Sequence, residues 1–495
     1  MPRKTIAFLG LFLVGLSLRA SAQDDFEAWK KRRQQEYQNF RDERDREFAE
    51  FLKKHWEAFE VFKGQARDQI PKPATFPVAP DQPSPLQGYQ DPSGRISPPT
   101  GEMTEIRPPE ESVKEFFSLF EEENVPTQIA FFEGNYTFFR PGSLDELSLN
   151  GPPGNQAISD FWAAAAQSDY RKLVEQFEQF QKEVGLNDWG LVLACHQFAG
   201  TIFPGKKAET TLFTWFLLNQ LGYDVRVGYD KRGVFLLLPI REAVFQLSFL
   251  RSEERKFYLV SLDGPAPSET SALYTYPTRH PKATRDVSLG MRKLPALGIA
   301  QTERRLAFSY LGKDYSLSIS INRSLIDFFS TYPQTELAVY FETPLSAQAF
   351  NSLTAQLSEI LSGMSTVEGT NFLLRLVQVA FAYEKDDVQF GRERPLFAEE
   401  TLFYPFSDCE DRSIFYALLV RHFLGLEVVG VDYPGHVATA VGLGADFPGD
   451  FLEFSQRRFV ICDPTYINAD MGMAMPRFRD SKPNVIILAK SFQEL

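Results

Sequence analysis

Cys409, His436 and Asp463 follow one another at 27-residue intervals (436 − 409 and 463 − 436). That order suits a thiol nucleophile, its base and an orienting acid. A thiol attacks poorly until it loses its proton, which a histidine takes, while a carboxylate orients the imidazole and stabilises its charged form. After Cys409, the apolar residues Ile414, Phe415, Leu418, Leu419 and Phe423 recur at helical spacing, and Gly425 is a stop signal. Cys409 is therefore expected at a helix N-terminus, where unpaired N–H groups and the helix dipole lower a thiol pKa. Strands are expected over 427–431, 436–441 and 458–462, with Tyr433-Pro434-Gly435 as a turn before His436. Each residue also has a plainer reading: Cys409 as a packing cysteine, His436 as a core histidine, Asp463 as a turn former before Pro464. Asp411 and Arg412 read as cap and ion-pair residues, and His422 as structural. Adjacent strand residues face opposite ways, so Cys462 should point into the core, away from Cys409, with no disulfide between them.

The motifs Asp408-Cys409-Glu410-Asp411-Arg412, Gly435-His436-Val437-Ala438-Thr439-Ala440-Val441 and Cys462-Asp463-Pro464-Thr465-Tyr466 resemble those of the transglutaminase-like thiol-enzyme superfamily in order, context and spacing. The resemblance covers about 370–470 and does not extend to 24–110. It implies an α+β fold with a transglutaminase-like, papain-like core, in which a helix bearing Cys409 packs on an antiparallel sheet bearing His436 and Asp463. It implies acyl transfer through a thioester: amide cross-linking, deamidation or peptide hydrolysis. Cys409 would be the nucleophile, His436 the general base and acid, and Asp463 the orienter. The Cys409 backbone N–H is a natural oxyanion donor at a helix start. The superfamily usually adds an upstream side chain, for which Gln389 is the candidate; it reads equally as a surface loop residue. No cofactor and no metal are expected. Some relatives depend on calcium, but no dense acidic loop here demands it. The expected substrate is a peptide or protein amide, with water as acceptor because no amine site is legible. The alternative is a non-catalytic binding or surface-assembly protein of the same fold.

The elements that must position these residues recur upstream. Residues 207–221 read as a helix stopped by Gly222, followed by strands at 224–228 and 234–238 and a further strand at 255–260. Aligning Gly222 with Gly425 sets Lys206 at the Cys409 position and Gly233 at the His436 position. Either this is a degenerate copy that has lost its nucleophile and base, or the likeness is chance. Between them, 276–345 reads as β-rich, with a hairpin around Gly312-Lys313-Asp314, and 346–384 as helical.

Residues 1–22 read as a secretory leader: Arg3 and Lys4, an apolar run over 6–18, then Ala20-Ser21-Ala22. The run is too short to span a bilayer, so the protein is expected to be periplasmic or secreted. Residues 23–64 read as one long helix. Aromatic pairs at Phe26 and Trp29, Tyr37 and Phe40, Phe48 and Phe51, and Phe59 and Phe62 recur every 11 residues, which keeps the rings on one stripe. That seam reads as packing on the protein's own domains, or as a surface for an oligomer, a partner or a membrane. Residues 65–110 read as an extended tether, with 11 prolines between Pro71 and Pro109. A mixed domain at 111–275 and a catalytic domain at 346–495 complete the division. The chain has 495 residues, a net charge of −13, five His and three Cys. The charge disfavours nucleic acid as a partner, and three cysteines cannot staple a disulfide scaffold. No segment after the leader is apolar enough to cross a membrane.

Overall fold

The computed structural model describes residues 42–67, 72–73, 75–80, 84–91, 94–99, 101–104, 124–252, 254–264, 272–443 and 447–489. The expected leader and the aromatic pairs before Phe48 lie outside the described residues. The chain is mixed α+β with antiparallel sheets, and its elements occur twice in nearly the same order.

The first unit opens with the hairpin β2 (Val125–Phe131) and β3 (Gly134–Arg140). The helices α1 (Asn155–Gln167), α2 (Arg171–Val184), α3 (Asp188–Ile202) and α4 (Lys207–Gln220) follow. A sheet then forms from β4 (Arg226–Asp230), β5 (Gly233–Leu238), β6 (Phe249–Ser252), β7 (Arg255–Val260) and β8 (Ala272–Thr275). The second unit opens with β9 (Gln301–Tyr310) and β10 (Lys313–Asn322), whose turn sets Leu311 and Gly312 at φ 50° and 75°. Positive φ at both turn residues is the twist-matched solution for a two-residue hairpin. Its helices are α5 (Arg323–Phe329), α6 (Leu337–Phe341), α7 (Ala347–Leu361), α8 (Thr366–Val379), α9 (Asp386–Gln389), α10 (Ala398–Phe403) and α11 (Cys409–Leu424). Its strands are β11 (Val428–Tyr433), β12 (His436–Gly442), β13 (Phe451–Phe454), β14 (Arg457–Cys462) and β15 (Asn484–Ile487).

The two sheets share one topology: β8-β4-β5-β7-β6 in the first and β15-β11-β12-β14-β13 in the second. Packing repeats too. α2 and α3 lie against β3 and β2, as α7 and α8 lie against β10 and β9, and α4 covers β4 and β5 as α11 covers β11 and β12. The registers fix the correspondence. Asp230 faces Gly233 as Tyr433 faces His436, and Leu236 faces Val260 as Thr439 faces Cys462. Gly233 thus stands where His436 stands, and Ser261, after Val260, stands where Asp463 does. The register that sets Gly233 at the His436 position, an offset of 203 (436 − 233), also sets Gly222 at the Gly425 position and Lys206, just before the helix start at Lys207, at the Cys409 position. Gly222 and Gly425 both adopt positive φ (96° and 61°) after their helices.

Three expectations are corrected. The aromatic-seamed helix does not reach Gly64. Helix covers 42–52 of the described residues, and β1 (Glu57–Glu60) pairs with β8 at the sheet edge. There Phe59 packs on the Leu237 and Leu273 cluster and Phe62 stacks on Phe249 at 5.6 Å, so apolar burial and ladder bonds outweigh the 11-residue period. Gly64 instead lies where a Cβ would stand 2.2 Å from the Leu247 carbonyl oxygen. Secondly, the described parts of the proline-rich stretch are docked rather than a free tether. Ala79 donates to the Ile467 carbonyl at 2.7 Å, Ile96 to that of Met364 at 2.8 Å, and Met103 to Asn351 Oδ1 at 2.8 Å. Thirdly, 276–345 turns helical after its hairpin, because the Asn322 side chain caps α5 by accepting from Ser324 N–H at 3.1 Å. Among the described residues no helix is long and apolar enough to cross a membrane.

Candidate active site

Local signals place each residue of the constellation. Pro434 and Gly435 (φ 72°) close the hairpin between β11 and β12, so His436 starts β12. Asp463 directly follows β14 beside it. Cys409 is the first residue of α11, which ends on Gly425 in the left-handed region (φ 61°). The helix start is fixed by Asp411, whose carboxylate accepts from the backbone N–H groups of Asp408 (3.1 Å) and Leu396 (2.8 Å). Ser413 Oγ donates to the Val437 carbonyl at 3.0 Å, tying α11 to the residue after His436. Arg412 is buried. Its guanidinium donates to the Gln378 and Phe381 carbonyls at 2.9 and 2.8 Å, capping the C-terminal end of α8, and burial lowers its pKa to about 9. The Gln378 amide in turn donates to the carbonyls of Tyr466 and Ala469, both at 2.9 Å, which holds the loop after Asp463.

His436 and Asp463 are in direct contact, Nε2 to Oδ2 at 2.9 Å, and both are buried. Thr465 donates from Oγ1 (2.7 Å) and backbone N–H (3.0 Å) to the other Asp463 oxygen. Burial pushes the Asp463 carboxyl up. The charge of His436 and the bonds from His436 and Thr465 outweigh it and hold the group below its ordinary value. The ring of Phe478 lies parallel to the imidazole, centroids 5.0 Å apart. With Nε2 committed to the carboxylate, Nδ1 is the ring atom left to handle a second proton.

Cys409 is not hydrogen-bonded to His436. Its thiol donates to Oε2 of Glu410 at 3.0 Å. Contrary to the helix-dipole expectation, burial first, then the negative charges of Glu410 and Asp408, push its pKa well above the ordinary value. At 4% exposure, the dipole is too small a term to win. Cys195, Cys409 and Cys462 are free and buried. Cys462 faces the core, as its strand position requires.

Spacing along the chain did not reveal an acidic cluster assembled from three segments. Oxygens of Asp386, Glu393, Asp408 and Glu410 lie within 4.8 Å of one another. Such an all-oxygen set suits a hard cation, and the ammonium of Lys72 stands among them. Lys72 Nζ contacts Asp408 and Glu393 at 2.5 Å, Asp386 at 3.7 Å, and Glu410. Burial and neighbouring Asp411 push Asp386 up to about 9. Burial also works against Glu410, yet Lys72 and Arg67 hold it below its ordinary value. Gln389 ends α9, the short helix that carries Asp386, and its Nε2 is buried without a hydrogen-bond partner.

Compared with family models, with curated proteins and with solved structures, the chain matches none.

Proposed function

We propose that the chain is an exported, transglutaminase-like thiol enzyme that cleaves or transfers peptide or protein amide acyl groups through a thioester on Cys409. The observation that carries this reading is the buried His436–Asp463 pair at 2.9 Å, set at the sheet end toward which the Cys409 helix start is tied through Ser413 and Val437. His436 would take the thiol proton through Nδ1 and return it to the leaving amine. The Cys409–amide carbonyl bond forms as the C–N bond breaks. Water then attacks the thioester carbonyl and releases the acid and the thiol. The Cys409 backbone N–H would bind the oxyanion, joined by Gln389, whose unpartnered Nε2 is a donor without an acceptor. The likeness of three motifs to the superfamily supports the reading, and the leader-like residues 1–22 support export.

A second reading is a non-catalytic binding or surface-assembly protein. It is favoured by the Cys409 thiol donating to Glu410 rather than facing an imidazole, and by the loss of the constellation at Lys206, Gly233 and Ser261 in the first unit. The two readings part in one experiment. The full chain and its Cys409→Ala variant are incubated with β-casein and methylamine, and the products are read by mass spectrometry. Cysteine-dependent cleavage, deamidation or methylamine incorporation supports the enzyme. Identical product sets from both proteins leave the binding reading.

A further inference from the structure

The carboxylates around Lys72 outnumber what a structural ion pair needs. One ammonium, 5% exposed, faces four acidic side chains. Taking four carboxyl groups out of water together is costly whether they are charged or keep a proton, so a fold that needed only a tie would use one. The four come from α9, from the loop at Glu393 and from the N-cap and first turn of α11, and they converge on the residues flanking Cys409.

The lysine arrives on a segment that docks as a peptide would. Beyond Lys72, the Pro73 carbonyl accepts from the Tyr383 hydroxyl. Phe76 packs on the Tyr383 ring at 3.9 Å and under the Arg412 guanidinium at 4.2 Å. Val78 then bridges in parallel to Ile467, with Ala79 N–H donating to the Ile467 carbonyl at 2.7 Å and Ile467 N–H to that of Pro77 at 3.0 Å. Ile467 lies four residues after Asp463 (467 − 463). The described residues of the segment thus lead from the Cys409 end of the constellation, at Lys72, to the Asp463 end, at Val78 and Ala79. Main-chain bonds supply affinity and a side-chain pocket supplies selection, as in strand-addition recognition of peptides.

We infer that Asp386, Glu393, Asp408 and Glu410 form a subsite that selects a lysine side chain in a peptide, and that the chain's own Lys72 fills it as an internal occupant of the cleft. The assignment of that peptide as substrate rests on the thiol-enzyme reading; the ammonium subsite does not. The pocket is compact, its oxygens within 4.8 Å of one another. That fits the point charge of an ammonium rather than the broad planar fork of a guanidinium.

The test uses the full chain with Lys72→Ala and reads binding, not catalysis. n-Butylammonium is titrated calorimetrically into wild type, Lys72→Ala and Lys72→Ala/Cys409→Ala, with n-butanol as the neutral control. The subsite predicts saturable binding at one site in both lysine variants, at least ten-fold weaker binding in wild type, and none of butanol. Because the Cys409→Ala background keeps the binding, a failure of the thiol chemistry leaves this result intact. Equal binding to wild type and Lys72→Ala, or butanol binding as well as butylammonium, overturns the subsite. Should Lys72→Ala not fold, Glu393→Gln, at the partly exposed rim, replaces it. Amide exchange at Ala79 is then expected to quicken at least ten-fold as the segment loosens, and unchanged exchange overturns the proposal.

Discussion

Asp463 Oδ2 lies 2.9 Å from His436 Nε2, and its other oxygen is held by both donors of Thr465. A carboxylate anchored on one side and bonded to an imidazole on the other fixes the ring's tautomer and rotation together. Asp463→Asn should keep the fold by circular dichroism and slow iodoacetamide labelling of Cys409 at neutral pH by at least ten-fold. Thr465→Val, which removes one of the two anchoring bonds, should slow it less.

Asp386 gives stability a pH dependence of definite sign. Its carboxyl is pushed from 3.8 to about 9, so the folded chain keeps a proton that the unfolded chain has lost between those values. Stability from this group is therefore full below 3.8 and drains as pH rises toward 9, by at most about 1.4 kcal/mol per pH unit for one proton. Urea denaturation from pH 5 to 9 should show a falling stability in wild type and a shallower slope in Asp386→Asn.

Arg412 carries a structural prediction separable from chemistry. It is buried and donates to Ser407 Oγ as well as to the Gln378 and Phe381 carbonyls. Arg412→Ala strands those acceptors and should cost about 3–5 kcal/mol by analogy with breaking a buried charge pair, read by urea denaturation. Arg412→Lys should recover little, because one ammonium cannot span the donors of a planar guanidinium.

Gln389 separates transition-state work from thiol activation. If its Nε2 serves the oxyanion, Gln389→Ala should leave Cys409 labelling unchanged while lowering turnover of casein amides by about 10²-fold or more. A turnover equal to wild type removes Gln389 from the mechanism.

Much of the second unit was legible because local signals and global fold agree there. Gly425 stops a helix, Pro434-Gly435 turns a hairpin, and Asp463-Pro464 ends a strand, so chain order alone predicted α11, β11, β12 and β14. The same signals located β4, β5 and β7 of the first unit's sheet, with Gly233 at the His436 position. What was not legible depends on contacts between segments far apart in sequence. The aromatic period carries on through Phe62, but nothing local reports that β8 offers Glu57–Glu60 a partner. Lys72 lies 336 positions before Asp408 in a run of prolines, where composition says only that the chain is extended. Asp386 and Glu393 sit in an ordinary charged stretch. Burial, then the charges of Glu410 and Asp408, raises the Cys409 pKa against the helix dipole, a balance that spacing does not encode.

The central claim is that His436 acts on the Cys409 sulfur. The most direct measurement is the iodoacetamide rate constant at each cysteine, mapped by mass spectrometry from pH 5 to 10, in wild type and His436→Ala. The thiol-enzyme account predicts labelling at Cys409 ahead of Cys195 and Cys462, with a wild-type rate near pH 7 at least ten-fold above that of His436→Ala and the two curves meeting at high pH. Superimposable profiles in the two proteins would contradict it.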